Sequence, residues 1–351
     1  MVIKTPRELL QLPSAWSILQ IMQALSLALS GEGPALAFGP SQFHTVDSEV
    51  AVVIPTSGST GVPKEVALTA PSLLASAAAS HLFLQAQTGD RWSLLLPTNH
   101  IAGVNVLVRA IALDTEIATA DFDFTSIVPT QLFRALNEKD ELFDRLQSAK
   151  AVLVGGAATR DDLLAQARAE GINVVTSYGM SEMSGGCVYD DTPLAGVEVE
   201  IRGDGRIALR GEMQAREYLG SSLPLADGLG WFLTSDAGRY EDGKLFVTGR
   251  IDDQIISGGE NISLGAIDDF LNQQSLGDFM SCAIPHPEWG QQLCLASSMK
   301  FDQTLVSRLL RNHFGNHAVA KIFLAEIELP RTAIGKPDRH ALAKNFEMML
   351  S

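Results

Sequence analysis

Residues 56 to 64 read Thr-Ser-Gly-Ser-Thr-Gly-Val-Pro-Lys and follow the apolar run Ala51 to Ile54. Such a turn can grip phosphate. The hydroxyls of Thr56, Ser57, Ser59 and Thr60 donate hydrogen bonds, Gly58 and Gly61 free backbone N–H groups to face an anion, and Lys64 adds positive charge. It is not a Walker loop, which needs glycine immediately before the lysine and serine or threonine immediately after it. Pro63 and Glu65 hold those places; one lacks an N–H donor and the other repels phosphate. A solvated hairpin turn would account for the glycines, but not for four hydroxyls in five residues.

The elements that must position this loop follow from local patterning. In "AKAVLVGGAATRDDLLAQARAEGINVVTSYGMSE", residues 149–182, a short apolar run at Val152–Val154 meets Gly155-Gly156. Thr159 is placed to cap a helix carrying Asp161 and Asp162 in its first turn, and Gly171 ends that helix before a second strand over 173–176. Strand, helix, strand of this length makes a parallel pair, with both post-strand loops on one sheet edge. A similar unit starts at "AVVIPTSG" and runs through an Ala-rich helix, 71–87, to a strand at 92–96, with His100 just before another apolar helix. From 197 onward "VEVEIRGDGRIALRG" and "GRYEDGKLFVTGR" read as hairpins. A small α+β pattern follows: helix 264–273, strands 280–284 and 292–299, helix 303–314, strand 321–328, then a Gly-containing loop and a last helix.

Composition bounds the function classes. With 46% apolar and 19% charged residues, the 351-residue chain is a globular α/β protein of two domains. A net charge of −15 argues against nonspecific binding to nucleic acid or an anionic membrane. Cys187, Cys282 and Cys294 are too scattered for a disulfide framework or a zinc site. The N-terminus lacks the unbroken apolar core of a signal peptide, and the apolar stretches 15–29 and 73–84 are too short or interrupted to span a bilayer. A cytoplasmic protein without membrane insertion is expected.

Five stretches taken together carry a family resemblance. "TSGSTGVPK" at 56–64, "YGMSE" at 178–182, "WFLTSDAG" at 231–238, "GRIDDQIISGGENI" at 249–262 and "PRTAIGK" at 330–336 resemble, in order, the core motifs of the acyl-CoA synthetase and adenylation-domain superfamily. One alone would be weak; five in order are specific. The resemblance implies a large α/β N-terminal domain, 1–250, with sheets packed against helices and a small β-rich subdomain. It also implies a hinge at 251–253 and a mobile α+β C-terminal domain, 254–351. The chemistry implied is ATP-dependent activation of a small carboxylic acid to an acyl-adenylate with release of pyrophosphate, followed by capture on the thiol of coenzyme A.

The resemblance also distributes roles. The loop Thr56 to Lys64 would hold the leaving phosphates, and Glu182 with Thr60 would bind Mg²⁺. Tyr178, with Gly179, Met180 and Ser181 beside it, would stack on adenine against Gly155, Gly156 and Ala157. Asp236 and Arg250 would take the ribose hydroxyls. Lys336 would bridge the incoming carboxylate and the α-phosphate, offsetting repulsion where negative charge accumulates. His100 would gate or orient the carboxylate. Asp252 would be the hinge, and Ser257, Gly258, Gly259 and Glu260 would line the thiol's tunnel in a second pose.

The chain lacks roughly a hundred residues that full-length family members carry before the phosphate loop. "LLPTNHIAGVNVLVRAI" and "SIVPTQLFRAL" look like the short o-succinylbenzoate–CoA ligases of menaquinone synthesis. Ser181, Ser235 and Leu264 are mild departures from the usual motifs. A dicarboxylate needs a second polar anchor; Thr176, Ser177, Asn105 and Arg109 are the candidates, the last two one helical turn apart on one face. Another aryl or short-chain acid, a carrier protein as acceptor in trans, and an inactive binding module of the same fold stay open as alternatives. A homodimer is expected, because the shortened N-terminus leaves one face of the large domain less covered.

Overall fold

The computed structural model describes residues 6–56, 64–251, 253–257, 260–274, 276–287, 290–331 and 337–350. Contacts divide the chain into two units. The first holds residues 1–159, 163–234 and 240–246; the second holds 160–162, 235–239 and 247–351. The expected boundary at 250 thus falls inside the last stretch of the second unit.

In the first unit one six-stranded sheet has the order Glu217–Tyr218, Lys64–Thr69, Val50–Thr56, Ala35–Ala37, Arg7–Gln11, Thr45–Val46. Val50–Thr56 and Lys64–Thr69 are antiparallel neighbours, with Thr56 opposite Lys64. The phosphate-type loop therefore joins two adjacent strands, and the helix begins only at Ala70. The sequence reading ran from the loop to the helix without this second strand. "KEVALT" is short, and its three central residues are buried, so it shows no period-2 alternation.

The second sheet has the order Thr192–Pro193, Gly185–Tyr189, Val174–Met180, Ala151–Gly155, Phe124–Ile127, Trp92–Ser93. Its last four strands are parallel, as the strand–helix–strand reading requires. The intervening helix is Asp161–Ala169, starting one residue later than a cap at Thr159 would set. Arg160 pairs with Asp162 across that start. Two further helices pack together and face this sheet. Ala70–Leu84 starts on a capping box of Thr69 with Ser72 and has Pro in its first turn, and Ile101–Ala112 buries every residue from Gly103 to Ala110, so its middle turns are enclosed on all sides. The apolar stretches near 15–29 and 73–84 both lie in helices, and no described helix is long and apolar enough to cross a membrane. The expected hairpins form a four-stranded sheet of Val197–Ile201, Arg206–Gly211, Phe232–Glu241 and Lys244–Arg250.

The second unit is built on a five-stranded sheet. Helices Leu264–Gln273 and Gln303–Phe314 match the expected spans to the residue, while the strands run Phe279–His286, Gly290–Ser297 and Ile322–Leu324. One buried polar knot ties it together. Arg339, opening the last helix, donates to Asp268, to the Ser281 carbonyl at 2.7 Å and to Asp253 at 3.2 Å, while Asp268 also accepts from the Ser281 N–H at 2.6 Å. Burial pushes the Asp268 carboxyl up to about 6 even though Arg339 pulls the other way.

Replacing Arg339 by Met leaves that carboxylate buried without its cation, which costs about 3 kcal/mol. The loss is read as faster amide exchange in the strand Phe279–His286. Without Arg339 the folded-state pKa of Asp268 rises further above its unfolded value. Stability then falls as pH rises through that window, and the deficit is larger at pH 8 than at pH 5. The double variant Arg339→Met, Asp268→Leu recovers most of it.

Candidate active site

Lys64 is the first residue after the phosphate-type loop, and the Thr56 hydroxyl donates to its carbonyl at 3.2 Å. Ser57, Gly58, Ser59, Thr60 and Gly61 lie outside the described residues. The Lys64 ammonium stands 4.8 Å from the centre of the Tyr218 ring, and the Tyr218 hydroxyl donates to Glu182 Oε1 at 2.7 Å. Glu182 sits in a single 3₁₀ turn, Ser181–Met183, just past the parallel strand Val174–Met180. One tyrosine thus joins two side chains that the sequence reading assigned to separate motifs. Tyr218 itself escaped that reading because "AREYLG" carries no local signal. Only the pairing of Glu217–Tyr218 against Lys64–Thr69 reveals it.

The adenine-side residues gather on the edge of the second sheet. Gly155 pairs with Ser177 in parallel register, so Gly156 and Ala157 leave the sheet beside Tyr178. Gly156 has φ +82°, a left-handed conformation that favours glycine. Gly179 faces Gly186 across the antiparallel pair, and a Cβ on it would lie 1.9 Å from the Gly185 carbonyl oxygen. Met180 precedes the turn that Ser181 opens. His100 is the half-buried N-cap residue of helix Ile101–Ala112 and makes no capping bond through its side chain.

The acid-pocket candidates separate. Asn105 and Arg109 both lie on the buried face of their helix, at 3% exposure each, and enter a two-rung polar seam between the helices and the strand Gly185–Tyr189. On the first rung Asn105 and Ser76 both donate to the Ser184 carbonyl, at 2.7 and 3.1 Å. On the second, Arg109 donates to the Tyr189 hydroxyl at 2.8 Å, and that oxygen also lies 3.1 Å from Ser80 Oγ. The Arg109 guanidinium stacks over the Trp92 ring at 4.8 Å, burial lowers its pKa, and no carboxylate among the described residues pairs with it. Arg109 Nε, Trp92 Nε1 and His81 Nε2 are all buried without a hydrogen-bond partner. Thr176, in contrast, gives its hydroxyl and its N–H to Asp190, at 3.0 and 2.8 Å. Ser177 directs its hydroxyl toward Gly186, where a Cβ would meet it at 2.4 Å. Ser76 and Ser80, four apart in an Ala-rich helix and both buried, are the sequence signal that could have pointed to this seam.

In the second unit Arg250 Nη1 lies 3.8 Å from Asp236 Oδ1, which brings the expected ribose pair together. Ser257 and Glu260 pair across antiparallel strands. Asp252, Gly258, Gly259 and Lys336 lie outside the described residues. Among the described residues no three His, Cys, Asp or Glu side chains gather into a metal cage. A single carboxylate at Glu182 suits Mg²⁺, which commonly takes one or two protein carboxylates and fills its shell with phosphate oxygens and water.

A model of the AMP-binding enzyme family matches residues 31–218. A probable 2-succinylbenzoate–CoA ligase of Mycobacterium tuberculosis is 34% identical, over 96% of this chain and 98% of its own length. This chain belongs to the AMP-binding enzyme family. The 2-succinylbenzoate–CoA ligase of Lactococcus lactis is 30% identical over 83% of this chain and 70% of its own. Among solved structures, o-succinylbenzoate coenzyme A synthetase from Bacillus subtilis in complex with its acyl-adenylate intermediate matches with a TM-score of 0.73 at 22% identity. That match covers 92% of this chain and 80% of the other. ATP-bound MatB from Rhodopseudomonas palustris matches with a TM-score of 0.78 at 18% identity, over 97% and 84%. These likenesses bear out the adenylate-forming α/β fold and the resemblance read from the motifs.

Burial, with the nearby Arg109 charge, lowers the His81 pKa from 6.5 to about 4, against a smaller opposite pull from Asp90. The unfolded chain therefore takes up a proton below pH 6.5 that the folded chain refuses until about pH 4, so stability falls as pH falls through that window. Urea midpoints between pH 7 and pH 4.5 drop less steeply in His81→Gln than in the parent.

Proposed function

We propose that this AMP-binding enzyme is an acid–CoA ligase whose acid is o-succinylbenzoate, and the observation that carries the choice is Arg109. A buried guanidinium without a carboxylate partner is costly, and a binding site for a monocarboxylic acid has no use for one. A dicarboxylate supplies the missing anion: one carboxylate reacts while the other is held inside the first unit. Arg109 anchors it there, and the Asn105 rung orders the helix that carries Arg109. The curated relatives, named as 2-succinylbenzoate–CoA ligases, support the same acid.

In the first step a carboxylate oxygen attacks the α-phosphate of ATP and pyrophosphate leaves. The loop from Thr56 to Lys64 holds the departing phosphates, and Glu182 with Thr60 holds Mg²⁺, which neutralises phosphate charge when bound. Tyr178, Gly179, Met180 and Ser181 with Gly155, Gly156 and Ala157 seat the adenine, and Asp236 with Arg250 the ribose. His100 orients the reacting carboxylate, and Lys336 bridges it and the α-phosphate, offsetting the repulsion where charge builds up. In the second step the thiol of coenzyme A attacks the acyl carbon and AMP leaves. The domain 254–351 swings about Asp252 so that Ser257, Gly258, Gly259 and Glu260 line the thiol's path, which lets one pocket serve two steps. The enzyme works in the cytoplasm as a homodimer.

Exchange of labelled pyrophosphate into ATP tests this reading. It is expected with o-succinylbenzoate and far weaker with acids that lack the second carboxylate. Arg109→Met lowers kcat/KM for o-succinylbenzoate about hundredfold, or about 3 kcal/mol, and leaves the weak exchange with monocarboxylic acids in place. It melts no lower than the parent, since a buried charge without its counter-ion has been removed. Lys336→Ala lowers exchange with every acid by about a hundredfold or more. Absence of exchange with every acid overturns the assignment, and exchange undiminished in Lys336→Ala overturns the role of that lysine.

A further inference from the structure

Tyr218 belongs to none of the motifs that define the nucleotide site, yet it touches two of them. We propose that Tyr218 is a positioning residue that fixes the Glu182 carboxylate and the Lys64 ammonium as one preformed receptor for the metal-bound phosphate end of ATP. The inference rests on the ligase reading above.

The backbone makes the placement rigid. The Ala215 N–H donates to the Glu182 carbonyl at 2.8 Å, the Arg216 N–H to the Ala67 carbonyl at 2.9 Å and the Leu219 N–H to the Glu65 carbonyl at 2.8 Å. Tyr218 pairs with Val66, two residues beyond Lys64. One short segment is thereby stitched both to the turn that carries Glu182 and to the strand that ends the phosphate loop.

The side chain completes the link. The Tyr218 hydroxyl donates to Glu182 Oε1, so one carboxylate oxygen is engaged and the rotamer is set before any ligand arrives. The ring face holds the Lys64 ammonium by cation–π attraction. A cation and an anion that would otherwise sample many rotamers are held by one aromatic spacer, which reduces the ordering cost when phosphate and metal bind.

Calorimetric titration with Mg·ATP, and separately with AMP and no metal, tests the role without turnover. Tyr218→Phe keeps the ring and loses the hydroxyl; it is expected to weaken Mg·ATP about tenfold and leave AMP unchanged, with a melting temperature close to the parent's. Tyr218→Leu also loses the ring face and weakens Mg·ATP about threefold more. In a Glu182→Gln background, Tyr218→Phe adds nothing further. The inference is overturned if Tyr218→Phe binds Mg·ATP like the parent, if it weakens AMP and Mg·ATP equally, or if its effect adds in full to that of Glu182→Gln. Should Tyr218→Phe fail to fold, Tyr218→Leu against Glu182→Gln gives the same comparison. A parent enzyme that binds Mg·ATP through Tyr218 but exchanges pyrophosphate with no acid would leave this inference standing and sink the ligase reading.

Discussion

The carbonyl oxygen of Ser184 accepts from Ser76 on one helix and from Asn105 on another, and the candidate site on the first unit is arranged around that pair of hydrogen bonds. Ser184 has φ 51°, a left-handed backbone unusual for serine, and it sits where the 3₁₀ turn reverses into the strand Gly185–Tyr189. Two side-chain donors hold the turn in that conformation. On one side of it Glu182 reaches toward Tyr218. On the other, Tyr189 descends between the helices to meet Arg109. Loosening this contact would move Glu182 and the Tyr189 partner of Arg109 together.

The two ends of that turn solve opposite electrostatic problems. Glu182 is half-buried and accepts from a phenol whose ring face holds the Lys64 ammonium, so its charge stays in reach of water. Arg109 is sunk among Trp92, Tyr189 and apolar helix faces, so its charge is strong only toward an anion that also leaves water.

Much of this was legible in the sequence, and the reason is locality. The parallel strands, the helices Leu264–Gln273 and Gln303–Phe314, and both hairpins follow from short-range patterns of burial and turn residues. Asn105 and Arg109 were found as a pair because four residues make one helical turn. What escaped depends on contacts distant in sequence. Tyr218 lies 36 residues from Glu182, and Tyr189 lies 80 from Arg109. Thr176, a fair candidate by composition, gives its hydroxyl to Asp190 across a turn that periodicity does not reveal. The strand Lys64–Thr69 was missed because a strand buried through its middle has no alternation to read.

The register between Val50–Thr56 and Lys64–Thr69 closes a doorway. Thr56 and Lys64 face each other across an antiparallel pair, with Cα atoms about 5 Å apart in such geometry. The Thr56 hydroxyl also donates to the Lys64 carbonyl at 3.2 Å, which fastens that doorway a second time. The doorway's lysine touches the ring that holds Glu182. Tyr218 thereby carries the clamp between these two strand ends on to the turn that holds Glu182, so three segments distant in sequence share one aromatic ring as their common fixture.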